Sequence, residues 1–187
     1  MKLPKNINDW ETTEEWENIW VSQRRYENIY NEAVDYANDG DVKGFIKTMT
    51  SLADVEEIDE NDLYALPQDP KHEIVAKAQM QLGNFFLFGA KASEDGKVIK
   101  TKKDLNKAVH YIKSSAKNGN VDAQQNLATM YEDGIGPDGK SLPNIKQDYK
   151  KALKWYSYAA KQGSALAKKD GLKVYNRGSA AITVPKI

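Results

Sequence analysis

The stretch from Gly134 to Ser141 contains the letters of a phosphate-binding loop, with Gly139 and Lys140 at the required spacing. In such a loop, backbone amides cradle the phosphates, the lysine reaches the terminal phosphate and the hydroxyl group binds Mg²⁺. That chemistry requires a strand before the loop and a helix after it. Here a helical pattern precedes the loop, and Pro137 removes a backbone donor. The sequence therefore indicates a connection between two helices and not a nucleotide site.

The other candidates for catalysis or metal binding are two histidines and a run of carboxylates. His72 lies in the first turn of a predicted helix and His110 at an exposed helical position, and neither has the spacing of metal ligands. Six of the nine residues 54–62 are acidic, but a flexible acidic linker does not hold the fixed geometry of acid–base catalysis. The absence of cysteine excludes thiol catalysis, thiolate metal sites and disulfides. We therefore expect a non-catalytic protein without a metal or cofactor.

The composition, with 40% hydrophobic and 29% charged residues in 187, is ordinary for a soluble protein. The N-terminal residues lack the apolar core of a secretory signal, and no apolar run approaches the ~18 residues of a membrane helix. We therefore expect a cytoplasmic protein with no membrane contact, and the alternative is an exported mature form.

The net charge of zero conceals two oppositely charged halves. Residues 1–75 contain 7 basic and 18 acidic side chains, a net charge of −11, and residues 76–187 contain 20 and 9, a net charge of +11. Such an asymmetry bears on partners more than on fold. The basic half is dominated by lysine, with Arg177 as its one arginine, so we expect no nucleic-acid partner.

Hydrophobic periodicity predicts helices along the chain and very little strand. The first helical stretch ends near Gly40, which suits the left-handed position after a helix, and a short amphipathic helix follows from Val42. Further helices are predicted over about 70–88, 104–118, 121–133, 148–162 and 165–177. The predicted fold class is all-α.

Two segments 45 residues apart repeat one pattern of small, aliphatic and aromatic residues. The first contains Ala78, Leu82, Gly83, Phe86 and Gly89, and the second Ala123, Leu127, Ala128, Tyr131 and Gly134. The helices that follow also match, with Ala108, Tyr111, Ala116 and Gly119 in one and Ala152, Trp155, Ala160 and Gly163 in the other. The leucine and the aromatic residue form a hydrophobic seam, and the glycine or alanine beside them lets a second helix approach closely. A single helix pair cannot cover its own apolar face, so such pairs stack into a solenoid.

This pattern closely resembles the Sel-one-like repeat (SLR), a relative of the tetratricopeptide repeat. The resemblance covers residues 77–119 and 121–163, and a degenerate third copy at 165–178 has Gly171 where leucine belongs. The resemblance implies an α-solenoid used for protein–protein contact, usually in signalling, scaffolding or bacterial effector biology.

The predicted organisation is an N-terminal helical cap at 1–68 with an acidic linker at 54–69, helical repeats over 70–178, and a tail at 179–187. The connections inside the two pairs, residues 90–103 and 135–147, both contain Asp-Gly-Lys. This triplet is typical of a tight turn. The alternative is a pair of stacked loops that forms a contact edge.

The candidate partner-binding residues follow from the resemblance, which places first-helix positions in a concave groove. They are Asn84, Phe85, Thr129, Met130 and Lys173, together with Phe88 from the apolar run at 85–88. Either Phe85 or Phe88 is alternatively covered by the N-terminal helices. Glu56, Glu57, Asp59 and Glu60 are the second set, as an acidic surface for a basic partner, and the alternative there is a solvated linker.

The function predicted from these features is that of a non-catalytic binding protein. The specific hypothesis is a bacterial immunity or antitoxin-type protein that occludes a basic toxin or effector. The alternative is a scaffold or adaptor in a signalling or secretion assembly. Hydrolase activity, suspected for some secreted relatives, is a remote third hypothesis. Those relatives depend on disulfides, and this chain has no cysteine.

Overall fold

The computed structural model describes the backbone of residues 13–54, 70–92 and 96–183, and the side chains of 23–54, 73–92 and 96–177. Its helices are α1 (Thr13–Asp39), α2 (Val42–Ala53), α3 (Pro70–Phe88), α4 (Leu105–Lys117), α5 (Val121–Asp133), α6 (Tyr149–Lys161) and α7 (Ala165–Thr183). Two short strands, β1 (Ala90–Ala92) and β2 (Val98–Lys100), lie between α3 and α4. The predicted helical fold is confirmed, since consecutive helices pack against each other along the described chain.

Side-chain caps fix the starts of the repeat helices. Asp104, Asn120 and Asp148 each accept a hydrogen bond from the backbone amide three residues later, at 2.9–3.1 Å. Each such cap stabilises a helix by about 1 kcal/mol because it satisfies an otherwise unpaired amide. The caps therefore set where α4, α5 and α6 begin.

Three helices end in the same glycine turn. Gly40, Gly119 and Gly163 have φ angles of +87°, +88° and +97°, and the amide of each donates to the carbonyl three residues earlier at 3.0–3.2 Å. Side chains other than glycine are strained in this left-handed conformation. The glycines thus let α2, α5 and α7 start directly after the preceding helix, as predicted for Gly40.

The small residue in the seam is required by the contact between α3 and α4. A Cβ atom at Gly83 would lie 2.7 Å from Ile112 Cγ1 and 3.2 Å from the Ile112 amide nitrogen. In the second pair, Ala128 occupies the equivalent position and is fully buried. The predicted close approach of paired helices is confirmed.

The connection at 90–103 contains strand structure that periodicity did not predict. Ala90 pairs with Lys100 and Ala92 with Val98 in an antiparallel hairpin. Three-residue strands are too short to produce a clear alternation of apolar and polar residues. The sequence had therefore indicated only a connection for residues 90–103, and the all-α fold class is unchanged by this short hairpin.

The connection at 135–147 is simpler, with one bridge between Ile135 and Ser141. Its Asp-Gly-Lys triplet turns at Gly139, where φ is +74°. The two connections also touch, because Lys103 Nζ lies 3.7 Å from Asp138 Oδ2. The neighbouring loops therefore touch at one ion pair, and their role as a contact edge stays a prediction.

The N-terminal helices stack on the repeats as a further helix pair. The rings of Phe45 on α2 and Phe85 on α3 meet edge to face at 5.1 Å between centroids. Gln79 Nε2 donates to the Ala53 carbonyl at the end of α2 at 2.8 Å. In the same way, Gln124 Nε2 donates to the Ala116 carbonyl near the end of α4 at 3.1 Å. Helix α2 is therefore attached to α3 by the same kind of glutamine contact that attaches α4 to α5.

Helix α7 is longer than expected. The predicted helix ends at about 177 and is followed by a tail at 179–187, whereas the helix continues to Thr183. Residues 179–183 are compatible with this because they include two alanines, the best helix former. The last four residues of the predicted tail lie outside the described residues.

Candidate protein-interaction surface

The first helix of each unit, α3, α5 and α7, carries a row of outward side chains spaced at i, i+4, i+7 and i+11. This first-helix stripe consists of Lys77, Gln81, Asn84 and Phe88 on α3, Asp122, Asn126, Thr129 and Asp133 on α5, and Leu166, Asp170, Lys173 and Arg177 on α7. All twelve side chains are exposed or half-buried. The spacing follows one side of a helix, so the stripe forms the same edge of three successive helices.

Four of the predicted partner-binding residues lie on this stripe. Thr129 and Lys173 are exposed, Asn84 is half-buried, and Phe88 at the end of α3 is 53% exposed. Phe88 is therefore the one large apolar side chain that α3 presents to solvent in the described structure.

The prediction was wrong for Phe85 and Met130, whose side chains face the core. Phe85 is 1% exposed and Met130 5% exposed, and both belong to the hydrophobic core. Each follows a stripe residue directly, and one step along a helix turns the side chain by about 100°. Phe85 is covered by α2 through its contact with Phe45, which is the alternative that the sequence had left open.

The acidic candidates Glu56, Glu57, Asp59 and Glu60 lie outside the described residues. Their role as an acidic contact surface stays a prediction.

At its N-terminal end the stripe borders a recess of about 400 Å³ between α1 and α3. Lys77 Nζ lies 4.8 Å from the ring centroid of Tyr30, and Lys91 Nζ donates to Gln81 Oε1 at 2.9 Å. Burial raises the pKa of Tyr30, which also hydrogen-bonds to Gln81. These contacts hold the Lys77 side chain at the edge of the recess and the Gln81 side chain next to Tyr30.

At the other end, four side chains join α5, α6 and α7 in a hydrogen-bonded cluster. Tyr156 Oη donates to Glu132 Oε2 at 2.9 Å and lies 3.1 Å from Thr129 Oγ1. Arg177 Nη1 donates to Glu132 Oε1 at 2.7 Å. Burial raises the pKa of Tyr156 to about 12, and the nearby Glu132 carboxylate contributes. The phenol therefore stays protonated at neutral pH and positions Glu132 and Thr129.

Tyr156 and Glu132 were not among the residues predicted from the sequence. The available signal was the difference between the two repeats, because Tyr156 stands where the first repeat has Ile112. A hydroxyl-bearing side chain at an otherwise aliphatic seam position indicates a polar partner within reach.

The charge of the stripe changes from helix to helix. Lys77 makes the α3 segment basic, Asp122 and Asp133 make the α5 segment acidic, and Lys173 with Arg177 outweighs the single acid on α7. The exposed carboxylates of α5 therefore lie between two basic edges.

Behind the stripe, three buried amides and one half-buried amide connect the ends of the paired helices. This amide ladder comprises Gln79, Asn118, Gln124 and Gln162. Asn118 Nδ2 donates to Gln79 Oε1 at 2.8 Å, and Gln162 Nε2 donates to Gln124 Oε1 at 2.9 Å. The repeated Ala-Gln at 78–79 and 123–124 was the sequence signal for it. The ladder fixes the orientation of the first helices and hence of the stripe.

Within the described residues, no group of three or more histidine, cysteine or acidic side chains is placed to hold a metal ion. None of the helices in the described part of the chain is long and apolar enough to span a membrane.

Comparison with known families identifies the repeat. The family model of the Sel1 repeat matches residues 76–120 and 121–164. No match was found among curated proteins.

Two solved structures are similar to this chain. One is a Sel1 repeat protein from Oxalobacter formigenes, with 22% identity over 63% of this chain and 75% of that chain and a TM-score of 0.44. The other is a protective antigen of uropathogenic Escherichia coli strains that displays an SLR fold, with 23% identity and a TM-score of 0.42. That match covers 87% of this chain and 35% of the antigen.

Proposed function

Since this chain is a Sel1-repeat protein, we propose that it acts by binding another protein, as a bacterial immunity or antitoxin-type protein that neutralises a basic toxin. Sel1 repeats generally mediate protein–protein interaction. The observation that carries the proposal is the first-helix stripe, which offers twelve side chains in one register on three helices. A partner that crosses the three helices contacts every segment of the stripe at once.

The chemistry of the partner follows from the charges. The α5 segment presents the exposed carboxylates of Asp122 and Asp133 at the middle of the stripe. The acidic residues at 54–62 add negative charge to the N-terminal half. Charge complementarity accelerates encounter and rejects partners of the wrong sign. Basic side chains of a partner therefore fit the middle of the stripe and the acidic segment, between the basic edges that α3 and α7 form.

The core behind the stripe supports a preformed binding surface. Phe85, Met130 and the amide ladder leave the first helices little freedom to rotate. A surface that is rigid before binding loses less conformational entropy on association. Tight binding of a single partner, as immunity requires, is consistent with such a surface.

The test is a pull-down from the native cell, read by mass spectrometry, with two matched variants. Asn126→Arg places a positive charge in the centre of the stripe, and Asn106→Arg makes the same change at an exposed position of α4. We expect the wild type and Asn106→Arg to retain one tight basic partner and Asn126→Arg to lose it. In cells that express the toxic partner, co-expression of the wild type or of Asn106→Arg should restore growth, and co-expression of Asn126→Arg should not.

The alternatives give different results. Several weaker partners in place of one tight partner would identify a scaffold or adaptor. Equal retention by both variants would exclude the stripe as the contact surface. Neutralising the acidic segment, by Glu56→Gln, Glu57→Gln, Asp59→Asn and Glu60→Gln, should slow association with the basic partner by about tenfold at low salt.

A further inference from the structure

Helix α7 has a side that no described helix covers. This open face of α7 consists of the apolar side chains of Leu172 and Tyr175 and of Lys168 one turn earlier, which are all exposed. Leu172 is 61% exposed and Tyr175 60% exposed. Large apolar side chains at adjacent helical positions that are this exposed often mark a contact surface.

The two full repeats show what such a face binds. Phe86 and Tyr131, at the position of Tyr175, are 5% and 8% exposed because a second helix covers them. Lys107 Nζ of α4 lies 5.1 Å from the Phe86 ring centroid, and Lys151 Nζ of α6 lies 5.3 Å from that of Tyr131. In this position, therefore, the repeat geometry calls for an antiparallel helix.

The steric requirement is inverted on α7. In the first repeat the notch is on the first helix, where Gly83 admits Ile112 of α4. On α7 the equivalent position is Leu172, and the glycine has moved to Gly171, whose Cβ would lie 3.1 Å from Tyr156 Cβ. A helix that docks on α7 must therefore supply the small residue itself, opposite Leu172.

The hydrogen-bond polarity is inverted as well. Gln79 and Gln124 accept from an amide at the end of the second helix, Asn118 or Gln162. Their equivalent on α7 is Lys168, whose ammonium group is a donor only. The docking helix must therefore carry an acceptor near its C-terminal end, and a carboxylate forms the stronger bond with an ammonium group.

We propose that the open face of α7 binds an amphipathic helix of a partner protein, antiparallel to α7. This helix has alanine or glycine opposite Leu172 and aspartate or glutamate opposite Lys168. A second copy of this chain is a poor occupant, because its α4 and α6 are already packed on α3 and α5 and carry amide donors and the bulky Ile112 or Tyr156 at these positions. The exposed Lys169 beside Lys168 adds positive charge next to this carboxylate. This surface is separate from the first-helix stripe.

The probe is a fluorescent peptide with the sequence of residues 104–119 that contains Ile112→Ala and Asn118→Glu. The first change supplies the notch and the second supplies the carboxylate. We expect saturable binding to the full chain and a gain of helical circular dichroism. Both Leu172→Glu and Tyr175→Glu should weaken binding by at least about tenfold, the loss typical of a buried contact residue.

Two controls test the face and the charge. Leu166→Glu changes the same residue type, similarly exposed, on the stripe side of α7, and should alter binding by less than about twofold. The wild type should bind the Asn118→Glu peptide better than an Asn118→Lys peptide. Lys168→Glu should reverse this preference, because it replaces the ammonium group by a carboxylate. Lys169→Glu should leave the preference as it is in the wild type.

Other results would overturn the proposal. The first is that the peptide does not bind the full chain. The second is that Leu166→Glu weakens binding as much as Leu172→Glu does. The third is that Lys168→Glu does not reverse the preference between the two peptides. A wild-type dimer in sedimentation that Leu172→Glu dissociates would identify a second copy as the occupant. Tighter peptide binding after neutralisation of Glu56, Glu57, Asp59 and Glu60 would identify the chain's own acidic segment instead.

Discussion

The two full repeats, residues 76–120 and 121–164, share a seam of the same residue classes, and one substitution within it creates a new polar contact. In both, a leucine and an aromatic ring are buried, a small residue admits the second helix, and a glutamine accepts an amide hydrogen bond. At the remaining seam position, Ile112 is purely apolar, whereas Tyr156 carries a hydroxyl group to Thr129 and Glu132.

This difference separates the residues that build the unit from those that modify its surface. The shared positions determine the packing of the helix pair. Tyr156 leaves that packing intact and positions two polar side chains on α5, one of which also holds Arg177 of α7. The second repeat thus has a polar contact with the next helix at its surface, in addition to the core contacts of Ala167 and Val174.

The largest expected effect comes from filling the notch. Gly83→Leu should destabilise the protein by about 3 kcal/mol or more, since even a Cβ atom there meets Ile112 at 2.7 Å. Ala128→Leu should cost less, about 1–3 kcal/mol, because a Cβ atom is already accommodated in the second repeat. Urea unfolding followed by circular dichroism measures both values, with Asn126→Leu on the exposed stripe as the control. Unchanged stability of Gly83→Leu would show that the helices do not nest as described.

An intermediate effect is expected from the amide ladder. Gln79→Leu removes two buried hydrogen bonds, one from the Asn118 amide and one to the Ala53 carbonyl, which should cost about 2–3 kcal/mol. Gln124→Leu should cost about 1–2 kcal/mol, because Gln162 is half-buried and still donates to the Gly119 carbonyl. The same unfolding assay measures them, and Asn106→Leu is the exposed control. If both variants lost the same stability, the hydrogen bond between Gln79 and Asn118 would be no stronger than the one between Gln124 and Gln162.

The smallest effect at neutral pH is expected for Tyr156→Phe, at about 1 kcal/mol or less. Its signature lies in alkaline solution. The folded protein holds the pKa of Tyr156 at about 12, above the ordinary value of 10.0, so the folded state binds the proton more tightly. Stability from this group is fully present below pH 10 and is lost as the pH rises towards 12.

Stability curves from pH 9 to 12 test this expectation. The Tyr156→Phe variant should lose less stability over that range than the wild type, whereas Tyr175→Phe, which alters an exposed tyrosine, should follow the wild type. Parallel curves for all three proteins would contradict the proposed burial of the Tyr156 hydroxyl.

Spacing alone was sufficient to predict the helices and the notch. Ala78, Leu82 and Gly83 recur in register at Ala123, Leu127 and Ala128, and the physical reason for each residue type is local to a helix pair. Helix ends followed from caps and from glycines such as Gly119, which act within a few residues.

The site was harder to predict because it depends on rotation about a helix and on contacts between distant residues. Adjacent residues such as Asn84 and Phe85 were treated together, although only the first faces outward. The cluster of Glu132, Tyr156 and Arg177 joins residues up to 45 positions apart, and no local pattern reports such a contact. The hairpin at 90–100 was missed because its strands are too short for a periodic signal.

The glutamines of the ladder also make helix length a specified quantity. Gln79 and Gln124 each bind a carbonyl at the end of the helix before them. One extra residue in α2 or α4 would swing that carbonyl away by about 100° and leave the glutamine facing no acceptor. The stack therefore tolerates insertions in the loops between helices but not inside α2 or α4, so related chains should differ in loop length while these two helices keep theirs.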